Sequence, residues 1–493
     1  MLRLRYAAGG ALLIQSVLLF SHPGMLPLWG DELFTLRAVQ QPIPEMFETL
    51  RRDVHPPLYF LAERYWIRLR IPEDPVSRLR LLSAIFAWAA SAYALWFLLP
   101  KLEATGGWWF CGLLAFSPCL VLYGRMARSY SLQLLVSLIA IHQLLRLLKN
   151  PRNARLGVAF GLAAALVLYT HYTPGAAIAL AAIATLLIRT RSLRPLILPN
   201  VVLLLAYSPW IASSMIAAGR WGNKSDFYRV TGSAVLEEVI KLGYWSVSLL
   251  FGESIPWWLF LAEIPLGLAL LWLAWRGIAS AREWLLPLAL VAVLGYLSVS
   301  RWVTYPFIPA RMLFLAPFFY LLLAYGLEAR PAAGRIILST MLLTSALGLW
   351  SYFHVSDFLN WGYAVPYPEI SRQIADSPRP TLVAAAVFTD SGVLRYFLPS
   401  TIPFRSIRPQ ASVAHAAEDL SAGPWSRICM VRNTHDASPD AYYIRLEEAL
   451  RRSFPRRETY FYRPRTKLDT MLMSALGWKD AVPYFYEVVE FER

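Results

Sequence analysis

Residues Tyr130–Tyr172 read YSLQLLVSLIAIHQLLRLLKNPRNARLGVAFGLAAALVLYTHY. Two apolar runs, Tyr130–Leu148 and Leu156–Tyr172, flank a short loop marked by Arg146, Lys149, Arg152 and Arg155. Each run approaches the roughly 20 apolar residues that a helix needs to cross the hydrocarbon core. Short basic loops between such runs mark the cytoplasmic side. The stretch therefore predicts two membrane spans joined by a cytoplasmic hairpin, and the turn His171–Tyr172–Thr173 lies outside.

Working outward, the same pattern recurs at Tyr6–Met25, Leu79–Leu99, Trp108–Tyr123, Pro174–Ile188 and Leu196–Ala217. It continues at Pro256–Trp275, Trp284–Val299, Phe307–Leu327 and Ile336–Phe353, for about eleven spans in all. MLRLR and the run after it could pass for a signal peptide, but the run ends SHPGMLPLW with no small-residue cleavage site. It reads as a retained first span. Arg189, Arg191 and Arg194 fill a second basic loop, Arg330 and Arg335 a third, all on the side of Arg3 and Arg5. That side is expected to be cytoplasmic, and an odd number of spans puts the two termini on opposite sides.

Composition agrees with this reading. The 493 residues are 57% hydrophobic and only 16% charged, with a mean hydropathy of +0.44; soluble domains carry about a quarter charged residues. The net charge of +15 is not that of a nucleic-acid binder, because its arginines cluster at the ends of apolar runs and no groove-reading motif is present. Cys111, Cys119 and Cys429 form neither a disulfide framework nor a metal-ligand pattern.

Two long loops, 26–78 and 219–255, are expected outside. In the second, Val235–Leu250 carries Glu237, Glu238 and Lys241 on one side and reads as an interfacial helix. The membrane domain is expected to span 1–355. From 360 to 493 the chain turns polar and reads as a small α/β domain on the outer face. Its strands are expected at Thr381–Phe388, Arg427–Val431, Glu458–Tyr462 and Tyr484–Phe491, with helices at Gly392–Phe397 and Ala441–Arg452.

The polar residues with chemical potential sit where outer loops meet the membrane. Leu28-Trp29-Gly30-Asp31-Glu32-Leu33-Phe34-Thr35 presents adjacent carboxylates, which suit a catalytic base, a metal ligand or an acceptor contact. The bland alternative is a charge pair at a helix N-terminus. In Asp53-Val54-His55-Pro56-Pro57-Leu58-Tyr59 the prolines fix the entry to a helix and the direction of His55. In Tyr123-Gly124-Arg125-Met126-Ala127-Arg128-Ser129-Tyr130, Arg125 and Arg128 lie one helical turn apart and could face one anion, or lipid headgroups. Lys224, Arg229, Arg301 and Arg311 are further outward cations, and outward cations call for an anionic partner. Asp53, Tyr59, Tyr130 and His171 are the remaining candidate substrate contacts.

Taken in order, the Asp-Glu, His-Pro-Pro-Leu-Tyr, Arg-x-x-Arg-Ser-Tyr and Pro-Ala-Arg elements resemble bacterial glycosyltransferases of the 39/83 type. These belong to the glycosyltransferase C superfamily, similar to protein O-mannosyltransferases and the aminoarabinose transferase of lipid A. The resemblance covers the chain to about Phe353. It implies a polytopic α-helical fold and transfer of a sugar, with inversion, from a polyprenyl-phosphate carrier to a lipid, glycan or protein acceptor outside the cell membrane. It implies that Asp31 is the base or acceptor-binder and that His55, Arg125, Arg128 and Arg311 lie around the donor phosphate; beside them Glu32 is a further catalytic candidate, and Arg301 and Lys224 are further phosphate candidates. Met312 follows Arg311 where the family commonly has Tyr. Members differ in their use of a divalent metal, which stays open.

Two other readings compete. A flippase for a lipid-linked anion would carry charges at mid-membrane depth and internal repeats, and neither is seen. A non-catalytic assembly subunit would use residues 360–493 as its interaction module.

Overall fold

The structure, a computed structural model, describes residues 2–53, 55–222, 234–301, 309–386, 391–407, 412–433, 440–464 and 484–493. They form two compact units. One comprises residues 1–25 and 35–359; the other joins residues 26–34 to residues 360–493.

The helical unit begins with α1 (Leu2–Phe20), and α2 (Gly30–Gln40) enters it from the first loop. In that loop follow α3 (Ile43–Asp53) and α4 (Leu58–Trp66). The amphipathic α3 buries Met46 and Leu50. Arg64 of α4 donates to the carbonyl of Val39 at 2.7 Å and to that of Gln41. After the loop come α5 (Pro75–Leu98), α6 (Ala104–Ala115), α7 (Pro118–Gly124), α8 (Tyr130–Lys149), α9 (Ala154–Thr170), α10 (Tyr172–Thr190) and α11 (Arg194–Gly222). The unit closes with α12 (Ala234–Phe251), α13 (Phe260–Gly277), α14 (Arg282–Arg301), α15 (Ala316–Ala329) and α16 (Pro331–Phe353).

Helix starts follow from local chemistry. Asp74 accepts from the Ser77 amide at 2.7 Å ahead of Pro75, and Asn153 accepts from Arg155 and Leu156 at the head of α9. Pro118 cannot continue α6, so α6 and α7 meet at a 40° bend, with Ser117 capping α7. α3 packs on α11 through Phe47 against Trp210, 5.6 Å between centroids, and Arg51 donates to Ser213 at 3.1 Å. α13 and α15 touch backbone to backbone: a Cβ at Gly326 would overlap the Leu273 carbonyl, and one at Gly277 that of Leu322. Close approach at small residues is how helices pack where water supplies no driving force.

The chain is a multi-pass membrane protein. Among the described residues, seven helices are long and apolar enough to cross a bilayer, or eight if α6 and α7 form one bent span. All eleven apolar runs fall on helices. The runs beyond those seven or eight lie in α1, α9 and the Leu285–Leu297 part of α14. α12 forms over the expected interfacial segment and is not among the candidate spans. The short basic loops lie at one end of the unit, where Lys149 pairs with Glu283 at 2.8 Å and Arg189 donates to the Glu283 carbonyl.

At the head of α13, residues 252–255 are sewn to residues 356–359. Ile255 donates to Asp357 at 3.1 Å, Leu359 to the Glu253 carbonyl at 2.8 Å, and the Ser254 hydroxyl to Ser356 at 3.0 Å. Gly252 makes this turn with φ +85°, where a Cβ would also lie 2.7 Å from Pro118.

The second unit holds α17 (Tyr367–Ala375), β1 (Thr381–Ala386), α18 (Ser391–Phe397), β2 (Phe404–Ile407), α19 (Val413–Ser421), β3 (Arg427–Asn433), α20 (Asp440–Arg451), β4 (Arg456–Pro464) and β5 (Tyr484–Glu492). The sheet order is β2-β1-β3-β5-β4. β1 runs parallel to β2 and β3, and β5 antiparallel to β3 and β4, with Ile428 opposite Phe491. One face buries Leu382, Ile428, Met430, Val489 and Phe491 with Tyr443, Leu446 and Leu450 of α20. Trp29, from residues 26–34, meets Tyr363 edge to face at 5.0 Å.

Candidate functional site

The prolines after His55 do what their spacing suggests. Pro57 is the N-cap of α4, and the amide of His55 closes back on the Leu50 carbonyl at 2.9 Å. The ring is thereby held in a turn, with Nε2 3.2 Å from Asp53 Oδ2 and 3.4 Å from Nη2 of Arg128. Arg128 belongs to the turn between α7 and α8. Its Nη1 donates to the Thr35 hydroxyl at 3.4 Å, and its carbonyl faces Ser83, whose hydroxyl lies 2.9 Å from that of Tyr59. Tyr59 and Ser83 are fully buried, so the backbone that carries Arg128 is positioned from two helices, α4 and α5.

His171 is the N-cap residue between α9 and α10, and its amide donates to Val167 at 2.7 Å. Burial holds its imidazole well below the usual histidine range, and the charges of Arg311, His55 and Arg128 push in the same direction. Its Nδ1 is buried without a hydrogen-bond partner. Arg311 lies in the 3₁₀ turn Pro309–Leu315, and its carbonyl accepts from the side chain of Gln133 on α8. Three residues far apart in sequence, Arg311, His55 and Arg128, thus act on His171, and Arg128 also meets His55. A neutral imidazole among cations is a site that favours an anion with several acceptor oxygens.

The other candidates sort differently. Arg125 is buried; it donates to the carbonyls of Leu18 at 3.1 Å and His22 at 2.6 Å and sits over the rings of Tyr352 and Phe353. That geometry ties the end of α1 to the α7–α8 turn. Tyr130 is buried edge to face with Tyr123, 6.2 Å between centroids. Asp31 and Glu32 occupy the first turn of α2, the carboxylates facing a helix N-terminus as electrostatics favours; Glu32 is buried and Asp31 partly exposed. Thr35 follows Asp31 by four residues on the same helix. The backbone of Arg301 ends α14, while its side chain, Lys224 and Arg229 lie outside the described residues. Among the described residues no three His, Cys, Asp or Glu side chains gather as a metal site.

Sequence reasoning did not single out Thr35, Ser83, Gln133 or Glu253. Glu253 is buried and accepts from the hydroxyl of Tyr123; burial pushes its carboxyl up to about 7 against that hydrogen bond. A carboxylate within an apolar outer segment was its only sequence signal.

No family model and no curated protein sequence matches the chain. In three dimensions it is similar to ArnT from Cupriavidus metallidurans in the apo state, with a TM-score of 0.55 at 13% identity. It is likewise similar to the same protein bound to undecaprenyl phosphate, with a TM-score of 0.51 at 13% identity. Both alignments cover 98% of this chain and 97% of that one. The oligosaccharyltransferase AglB from Archaeoglobus fulgidus, solved with an inhibitory peptide and a dolichol-phosphate, gives a TM-score of 0.49 at 13% identity over 90% of this chain and 72% of that one. The likeness to ArnT extends over nearly the whole of both chains. The chain therefore shares the fold of ArnT over nearly its whole length.

Proposed function

We propose that this chain, built on the ArnT fold, is an inverting glycosyltransferase that moves a sugar from a polyprenyl-phosphate carrier to a lipid, glycan or protein acceptor. The reaction is assigned to the outer face of the cell membrane, with the N-terminus cytoplasmic and residues 360–493 outside. The carrying observation is the pairing of Arg128 with His55 at 3.4 Å, with the charges of both and of Arg311 felt at the buried imidazole of His171. A sugar-phosphate diester brings the negative charge and acceptor oxygens that such a cluster suits, and ArnT was solved with undecaprenyl phosphate.

In the proposed step the acceptor hydroxyl attacks the anomeric carbon opposite the phosphate. The carbon–oxygen bond to phosphate breaks, its electron pair stays on the phosphate oxygen, and the acceptor proton passes to Asp31. Arg128, Arg311 and His55, with Arg301 and Lys224, stabilise the charge that develops on the leaving phosphate, so no protein acid is needed. Asp53 orients His55 at 3.2 Å. Tyr59 acts as a positioning residue through Ser83, and Arg125 holds the turn that carries Arg128. Asp31 and Glu32 would hold a divalent ion only with ligands from elsewhere, and no step requires one.

The test is transfer from a radiolabelled polyprenyl-phosphate sugar by membranes carrying the chain or its variants. Asp31→Asn keeps the size and removes the basicity, so turnover should fall by about 10²–10⁴-fold with normal expression. Glu32→Gln should cost less. Near-wild-type turnover in purified Asp31→Asn protein would move the base to Asp53, and no transfer by the wild type with any such donor would overturn the reading.

A further inference from the structure

We propose that the adjoining ends of α5 and α8 form a binding site for the phosphate of an anionic phospholipid, in the leaflet beside the basic loops. The site is independent of the transfer reaction. Phe97 of α5 stacks on His142 of α8, with 3.9 Å between ring centroids and 22° between planes. One turn earlier, the Tyr93 hydroxyl lies 2.7 Å from His142 Nδ1. With Tyr93 donating to Nδ1, Nε2 carries the proton and becomes a donor directed away from Tyr93.

Two cations act on that ring. Lys101, in the 3₁₀ turn that ends α5, stands 5.2 Å from the Phe97 centroid. Arg146 follows His142 by one helical turn, and both charges reach the imidazole. Among the described residues no carboxylate pairs with Lys101 or Arg146 within ion-pair distance. The acid that acts on Lys101, Glu283, is held by Lys149 at 2.8 Å.

Cations at helix C-termini need no ligand in themselves, since they complement the helix dipole. The case for an anion is that Lys101, Arg146 and the His142 ring gather about one ring stack between α5 and α8. The case for a lipid is Trp96, which lies 5.5 Å from His142 and is 64% exposed on a membrane-spanning helix. An indole there suits the level of the headgroups and gives an acyl chain an apolar surface to follow.

Native mass spectrometry of the purified full chain in detergent, titrated with phosphatidylglycerol, reads this site. Lys101→Gln and Arg146→Gln should each weaken binding about fivefold, the worth of one basic residue near an anionic headgroup. Arg152→Gln, a cation of the same basic loop, should change it by less than about twofold. All three side chains are exposed, so folding is not at risk. Equal loss in Arg152→Gln would mean undirected surface attraction and overturn the site. Equal binding of phosphatidylcholine would overturn it too, as would displacement of the lipid by millimolar inorganic phosphate.

Discussion

In the sheet unit Arg427 and Arg432 are answered by charge: Arg427 bridges to Glu490, with its Nε 3.1 Å from Oε2, and Arg432 to Glu487 on the same neighbouring strand. In the helical unit Arg125 and Arg64 are answered by carbonyls, those of Leu18 and His22 for the first and of Val39 and Gln41 for the second. Both solutions satisfy the donors of a desolvated guanidinium, but only the first cancels its charge. A carbonyl-held arginine leaves a net positive field, and Arg125 stands three residues before Arg128. The sheet unit thus cancels these buried charges in pairs, whereas Arg125 keeps its charge beside carbonyls.

Breaking the pairs should expose the contrast. Arg427→Met strands Glu490 in a buried site and should destabilise residues 360–493 by about 3–5 kcal/mol, with Glu490→Leu in the same chain restoring most of it. Limited proteolysis of that unit within the full-length protein reads the loss. Arg125→Met strands carbonyls rather than a charge and should cost about 1–3 kcal/mol. Failure of Glu490→Leu to rescue, or equal losses in both units, would break the comparison.

Glu253 sharpens it from the acidic side, as a buried carboxyl with a hydroxyl rather than a cation as its partner. Its ordinary value is 4.5 and its folded value about 7. The folded chain therefore keeps a proton that the unfolded chain gives up. The stability is full below about pH 4.5, falls as pH rises towards 7, and levels off above it. The span amounts to roughly 3 kcal/mol. Glu253→Gln should flatten this slope in a thermal-unfolding series from pH 4.5 to 8; an unchanged slope would assign it to another group.

Much of the fold was legible because lipid enforces long apolar runs: among the described residues each run read from sequence coincides for most of its length with helix. In the sheet unit β1, β3, β4, β5, α18 and α20 were legible from alternation or amphipathic spacing. β2 has four residues, too few for alternation to show, and α17 and α19 were not read from the sequence. The site was legible as residue types in order, not as a constellation. Nothing local joins His171 to Arg311, or Tyr123 to a carboxyl 130 positions away. Arg125 and Arg128 looked equivalent in sequence, since spacing puts them on one face. They diverge because α7 ends at Gly124 and the turn aims one guanidinium at α1 and the other at His55.

That divergence gives the smallest of the expected effects. Arg128 meets His55 and Thr35 through different nitrogens, each at 3.4 Å, so its planar fork is fixed at two points and its N–H groups are held in a fan. A lysine keeps the charge but not the fan. Arg128→Lys should therefore weaken binding of the polyprenyl-phosphate donor by about tenfold, with the acceptor constant nearly unchanged. Arg128→Ala should weaken donor binding further, because the charge goes as well. Arg125→Lys, by contrast, should leave donor binding alone, since an ammonium can still reach a carbonyl and the positive field persists. Separate donor and acceptor titrations distinguish the outcomes. A loss confined to the acceptor constant in Arg128→Lys would remove Arg128 from the phosphate. An equal donor effect from Arg125→Lys would mean that field alone, and not directed hydrogen bonds, holds the anion.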